Sequence, residues 1–150
     1  MKLINIYKPI IIILLFSGIY SQGFIANFDE AMRPIQVQGV GERIELFDYV
    51  DGKPTVLFFW FLASEPCKKV MKFLDEFQKT YSNRELRVIA INTDNKRALG
   101  PVRAFLVSKQ YSFNNLNSPR TRLFRKIGGE ICPFIVFVDH DGNIISRIVG

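Results

Sequence analysis

From Thr55 to Leu62 the chain carries almost nothing but apolar residues, many of them aromatic. A strand with no polar face is buried on both sides, which points to the centre of a sheet covered by helices. The run breaks at Ser64, a proline and a cysteine follow (Pro66-Cys67), and the period then changes to 3.6. Cys67, Val70, Met71, Leu74, Phe77 and Tyr81 fall on one helical face, and Lys68, Lys72, Asp75, Glu76 and Lys79 on the other. The stretch Phe58 to Met71 therefore predicts a buried strand running into a helix N-terminus, with a thiol in the first turn. Unpaired N–H groups and the positive end of the helix dipole favour thiolate over thiol at such a place.

The remaining chain supplies partners for that strand. Leu86 to Asn92 reads as a second buried strand, and the strand–helix–strand spacing makes it parallel to the first. Gly100-Pro101 opens a helix with Val102, Phe105 and Leu106 inward, running to about Tyr111. Ser118-Pro119 opens a short helix with Leu123, Phe124 and Ile127 inward, ended by Gly128-Gly129. Phe134 to Val138 is a third buried strand, and Asp141-Gly142 turns it into a returning strand from Asn143 to Val149. Ser82-Asn83 ends the first helix. Upstream, an edge strand is expected near Ile35 to Val40, and a loosely alternating segment from Arg43 to Tyr49 leads to the Asp51-Gly52 turn. No internal repeat or low-complexity segment is present.

The chain has 150 residues, 48% hydrophobic and 23% charged, enough for one domain with a real core. Residues 1–23 read as a signal peptide: Lys2 and Lys8, the apolar run Pro9 to Phe16, and small residues around Ser21-Gln22-Gly23. The apolar run to Tyr20 is shorter than the roughly 20 residues of a membrane span, so a membrane role requires the segment to be retained. Its removal takes away two basic residues and no acidic ones, so the net charge falls from +6 to +4. The remaining basic residues are scattered without an aromatic platform, which argues against nucleic acid. Residues 24–40 read as a tether or edge strand and residues 41–150 as the domain. Export to the periplasm or cell envelope would put Cys67 and Cys132, the two cysteines, in an oxidising compartment.

This order of elements resembles the thioredoxin-like superfamily, and most nearly the TlpA/redoxin, AhpC/TSA-related branch of exported bacterial thiol-disulfide proteins. The branch reads Phe-Trp-Ala-x-Trp-Cys-x-Pro-Cys-Lys/Arg-Lys at its strand–helix junction, where this chain has Phe59-Trp60-Phe61-Leu62-Ala63-Ser64-Glu65-Pro66-Cys67-Lys68-Lys69. Cys132-Pro133 matches the cis-proline before the third core strand, and the Asp141-Gly142 hairpin matches too. The resemblance implies an α/β thioredoxin-like fold, a central mixed sheet flanked by helices and closed by a C-terminal β-hairpin. It also implies an active-site motif and substrate groove at Trp60, Ser64, Glu65, Pro66 and Pro133, with protein or peptide thiols and disulfides as partners and no cofactor.

The chemistry departs from that pattern. Ser64 stands where the attacking cysteine belongs, and a hydroxyl cannot form the mixed disulfide of a dithiol cycle. Val70 and Phe58 occupy the positions of the two usual proton acceptors. The branch also adds a C-terminal helix, whereas this sequence stops at Gly150 after the hairpin, so the sheet face is expected to be covered by the N-terminal segment or by a protein partner, or the natural chain to continue. Ser64 reads best as a helix N-cap. Cys67 is either an inert buried thiol or a functional one. The resemblance puts Cys132 at the active-site turn, nearer Ser64 than Cys67, which speaks against a Cys67–Cys132 bridge. Such a bridge would close 64 intervening residues and stabilise by roughly 4 kcal/mol. Two cysteines without a nearby histidine are too few for a metal, and His140 reads as a turn residue.

The leading expectation is an oxidoreductase with an incomplete active site, in which Cys67, alone or together with Cys132, carries the thiol-disulfide exchange. The alternative is a non-catalytic peptide- or protein-binding module that has lost dithiol chemistry. The third reading is a peroxiredoxin-like thiol peroxidase, suggested by Ser64-x-x-Cys67 but opposed by Trp60 at the place of that family's proline.

Overall fold

A computed structural model describes residues 31–36, 39–40, 44–46, 52–81, 85–118 and 122–150. Its strands are β1 (Ala31–Gln36), β2 (Gly39–Val40), β3 (Ile44–Glu45), β4 (Thr55–Trp60), β5 (Arg87–Asn92), β6 (Asn114–Asn117), β7 (Phe134–Val138) and β8 (Ile144–Val149). Its helices are α1 (Glu65–Tyr81), α2 (Leu99–Lys109) and α3 (Arg122–Lys126), with a short 3-10 turn at Lys96–Ala98 leading into α2.

The strands form one mixed sheet in the order β2-β1-β6-β5-β4-β7-β8, with β3 paired to β1. The central pairs β4–β5 and β5–β6 are parallel, and β4–β7, β7–β8 and β1–β6 are antiparallel. All six residues of β4 are buried, as expected for an apolar run with no polar face. The two-residue period of the strands sorts their side chains onto two faces. Leu57, Phe59, Ile89, Ile91, Phe134, Val136 and Val138 join Leu123 of α3 and Ile127, just beyond it, on one face. Val56, Phe58, Trp60, Val88 and Ala90 join Cys67, Met71 and Leu74 of α1 and Val102 of α2 on the other. The thiol of α1 is thus built into the second core from the start of the helix.

The helices begin and end where their chemistry allows. Ser64 is the N-cap of α1: its Oγ accepts the Cys67 N–H at 3.2 Å, and its carbonyl accepts the Lys68 N–H. Glu65 in the first turn and Lys79 in the last complement the helix dipole. Gln78 ties α1 to the sheet, its amide oxygen accepting the Val88 N–H at 2.6 Å and its amide nitrogen donating to the Leu86 carbonyl. Gln110 closes α2 in the left-handed conformation.

Three differences from the sequence reading stand out. The strand expected near Ile35 to Val40 is a pair, β1 and β2, hairpinned with Ile35 opposite Val40. Within the segment from Arg43 to Tyr49, the described residues 44–46 include the two-residue β3. The strand β6 was not anticipated at all: its sequence is Asn-Asn-Leu-Asn, and asparagine is depleted in strands. It forms because β5 offers it a parallel edge, burying Leu116 and Asn117. The helix-ending Ser82-Asn83, the helix-opening Pro119, the Asp51 turn residue and the whole of residues 1–30 lie outside the described residues.

Candidate active site

The site is assembled where β4 ends, α1 begins and β7 is entered. Cys67 is the third residue of α1 and has no exposed surface. Cys132 is half-buried, immediately before β7, and the Cys132–Pro133 peptide bond is cis. Both cysteines are free thiols. Cys132 packs against both cores, the second of which contains Cys67, and each thiol is the strongest influence on the other's proton. The resemblance expects Cys132 near both Ser64 and Cys67, and closer to Ser64; in the fold Cys132 packs against the core that holds Cys67, across 64 intervening residues.

That contact dominates the electrostatics. The hydrogen bond from Cys132 lowers the Cys67 pKa most, burial opposes it, and hydrogen bonds from the Ser64 hydroxyl and the Phe61 backbone lower it further. The net result takes Cys67 from 9.0 down to about 6, even though the negative charge of Asp94 pushes the other way. Cys132 moves up, because its proton is held by Cys67, because it is partly buried, and because Cys67 and Asp94 carry negative charge. At neutral pH the pair therefore holds one proton, resident on Cys132, beside a thiolate at a helix N-terminus.

Asp94 is the residue that sequence patterns missed. It follows β5, whose Asn92 pairs in parallel with Trp60 at the end of β4. Its Oδ2 accepts the Leu62 N–H at 2.7 Å and an Asn92 amide N–H at 2.8 Å. Asn117, from β6, donates to the Asn92 side-chain oxygen and to the Asp94 carbonyl. This network holds the turn between β4 and α1 and puts a carboxylate within electrostatic reach of both sulfurs. The available signal was positional: polar residues following a buried strand at its carboxyl end, the side where open α/β sheets place their sites.

The other expected site residues scatter in exposure. Ser64 is buried under its cap bond, Glu65 and Pro66 are exposed, and Pro133 is half-buried. Glu65 pairs with Lys68 at 2.6 Å. Trp60 has no exposed surface and packs its ring on Phe105, so it supports the turn from inside the core instead of lining an open groove. His140 is exposed in the β7–β8 turn. Among the described residues no three His, Cys, Asp or Glu side chains gather as a metal site.

A mixed sheet with helices on both faces, a cysteine in the first turn of α1 and a cis-proline facing it define a thioredoxin-like protein. Residues 27–147 match the family model of the AhpC/TSA family, and the chain belongs to that family. It is 26% identical to the thiol-disulfide oxidoreductase ResA of Bacillus cereus, over all of this chain and 91% of that protein. Among solved structures it resembles the thioredoxin domain of a Bacteroides vulgatus thiol-disulfide oxidoreductase, with a TM-score of 0.65 and 18% identity over 81% of this chain and 86% of that one. It also resembles a secreted Mycobacterium tuberculosis disulfide oxidoreductase, with a TM-score of 0.63 and 19% identity over 79% and 82%. Among the described residues no helix is long and apolar enough to cross a membrane.

Proposed function

We propose that this protein is an exported thiol–disulfide oxidoreductase of protein or peptide substrates in which Cys67 and Cys132 replace the usual closely spaced dithiol. The observation that carries the reading is two free thiols gathered at one core, Cys132 packed against the cluster that holds Cys67, with Cys67 held well below the ordinary thiol range. Dithiol exchange needs one sulfur to form the mixed disulfide and a second to resolve it. Ser64 cannot be either, and Cys132 supplies the missing sulfur from the opposite side of the turn. Similarity to ResA supports the reaction class. The N-terminal run of lysines and apolar residues supports export. Free thiols are to be counted with and without reductant, followed by an assay of reduction of a small peptide disulfide. Cys67→Ala should abolish turnover; activity equal to the parent's would sink the proposal.

One observation favours a second reading, a peptide-binding module without turnover. Cys67 is shut off from solvent and its helix is capped by Ser64, as a purely structural thiol would be. Specific peptide binding that survives loss of both cysteines, with no exchange in the parent, would select it.

A further inference from the structure

We propose that Cys132 is the sulfur that exchanges with substrate, that Cys67 is the buried sulfur it bridges to, and that the bridged protein is a disulfide donor to substrate thiols. The inference rests on the oxidoreductase reading above and assigns roles and direction within it. Related dithiol proteins attack with the cysteine at the position of Ser64, so neither role follows from the motif.

The geometry separates the two sulfurs. An incoming thiolate has to reach the sulfur it attacks, and Cys67 has no exposed surface while Cys132 is half-exposed beside the exposed Ile131. Cys132 packs against the core cluster that holds Cys67, so a bridge with an S–S bond of about 2 Å would join two residues of one packed site. The departing sulfur must be stabilised as an anion, and the donors are arranged around Cys67: the Ser64 hydroxyl, the Phe61 backbone and the first turn of α1. A low-pKa thiol leaves faster, and stabilising it stabilises the reduced protein, which makes the bridge oxidising.

The chemistry balances without a further reagent. A substrate thiolate attacks Cys132 Sγ, the S–S bond breaks, and its electron pair leaves on Cys67 as thiolate. A second substrate thiol, deprotonated, attacks the substrate sulfur of that mixed disulfide. A substrate disulfide is released, and Cys132 leaves and takes up the proton. The substrate loses two electrons and the bridge gains them. Recharging is the reverse exchange with an external disulfide, which leaves as one thiolate and one thiol. Cys132 attacks one of its sulfurs and passes its proton to Cys67 as the first thiolate leaves; Cys67 then attacks Cys132 Sγ and hands that proton to the second departing sulfur, which leaves as a thiol.

The test uses the full chain and oxidised glutathione. In Cys67→Ser, a glutathione adduct should accumulate on Cys132; in Cys132→Ser, adduct formation on Cys67 should be at least tenfold slower. Because either variant could fail to fold, the parent is also to be acid-quenched during exchange and its transient adduct mapped by mass spectrometry. The bridged parent should be reduced by excess reduced glutathione and should oxidise a reduced peptide dithiol. An adduct confined to Cys67, or a bridge that resists glutathione, overturns this assignment while leaving an oxidoreductase. A parent in which neither cysteine exchanges overturns the oxidoreductase reading itself.

Discussion

Cys67 and Cys132 divide one proton between them, and each neighbour's effect on that proton has a definite sign. The bond from Cys132 is the largest influence lowering the Cys67 pKa, so thiolate absorbance of the reduced protein should titrate with a midpoint at about 6 for one sulfur. Cys132→Ala removes that donor and should raise the midpoint; an unchanged midpoint would show that Cys132 is not the partner. Asp94 pushes both thiols up. Asp94→Asn keeps an acceptor for the Leu62 N–H and removes the charge, so the midpoint should move further down. Cys67 and Cys132 were legible as candidates because motif spacing fixed each one locally. That they share one end of the sheet came from the resemblance alone; which of Ser64 and Cys67 lies nearer Cys132 was not legible, because it depends on how β7 is placed beside β4, and a motif carries no distance between its ends. Asp94 was invisible for a related reason: its role comes from parallel pairing of β5 with β4, not from anything within its own segment.

At the scale of elements, β4, α1, β5, α2 and β7 could be read from hydrophobic period, because each buries apolar residues that its own sequence displays, whereas β8, which buries only Ile144, was placed by the Asp141-Gly142 turn. The polar strand β6 could not, since its two buried residues are stabilised by neighbours: Leu116 by the core and Asn117 by bonds to Asn92 and Asp94. The short helix α3 was legible only in part. Leu123 and Ile127 are buried as expected, and Gly128-Gly129 does follow the helix, but the two glycines act differently. Gly128 takes a positive φ of 90°, which an L side chain adopts at a cost. Gly129 is a close approach: a Cβ there would lie 2.5 Å from the Phe124 ring and 2.7 Å from the Phe124 carbonyl oxygen. The ring cannot swing freely, because it is packed on Phe59 at 5.6 Å and edge-on to Phe134 at 5.5 Å. Gly129→Ala should therefore destabilise by about 1–3 kcal/mol, as overpacking in a filled core does. Urea unfolding measures it, and a midpoint within error of the parent's would mean that α3 shifts to make room.

For the whole molecule, the shared proton couples redox state to folding. The unfolded chain carries two ordinary thiols near 9.0, whereas the folded chain holds Cys67 at about 6 and Cys132 above its ordinary value. Between about 6 and 9.0 the unfolded state binds more protons than the folded one, so stability of the reduced protein rises with pH. The slope approaches about 1.4 kcal/mol per pH unit for one proton. The contribution of Cys67 is lost as pH falls through its folded value. Above 9.0 the sign reverses, because the unfolded chain loses both protons while the folded chain keeps the one on Cys132. A bridged protein has no thiol proton and should lack this rise; its loop of 64 intervening residues supplies instead a stabilisation of roughly 4 kcal/mol that does not depend on these protons. The difference between reduced and bridged stability should consequently narrow as pH is raised from about 6 towards 9, which makes the bridge easier to reduce there relative to the fall expected of an unstructured dithiol. Urea unfolding of the reduced parent, the bridged parent and Cys67→Ala across that window checks it. Parallel curves for reduced parent and Cys67→Ala would mean that no thiolate is held in the fold.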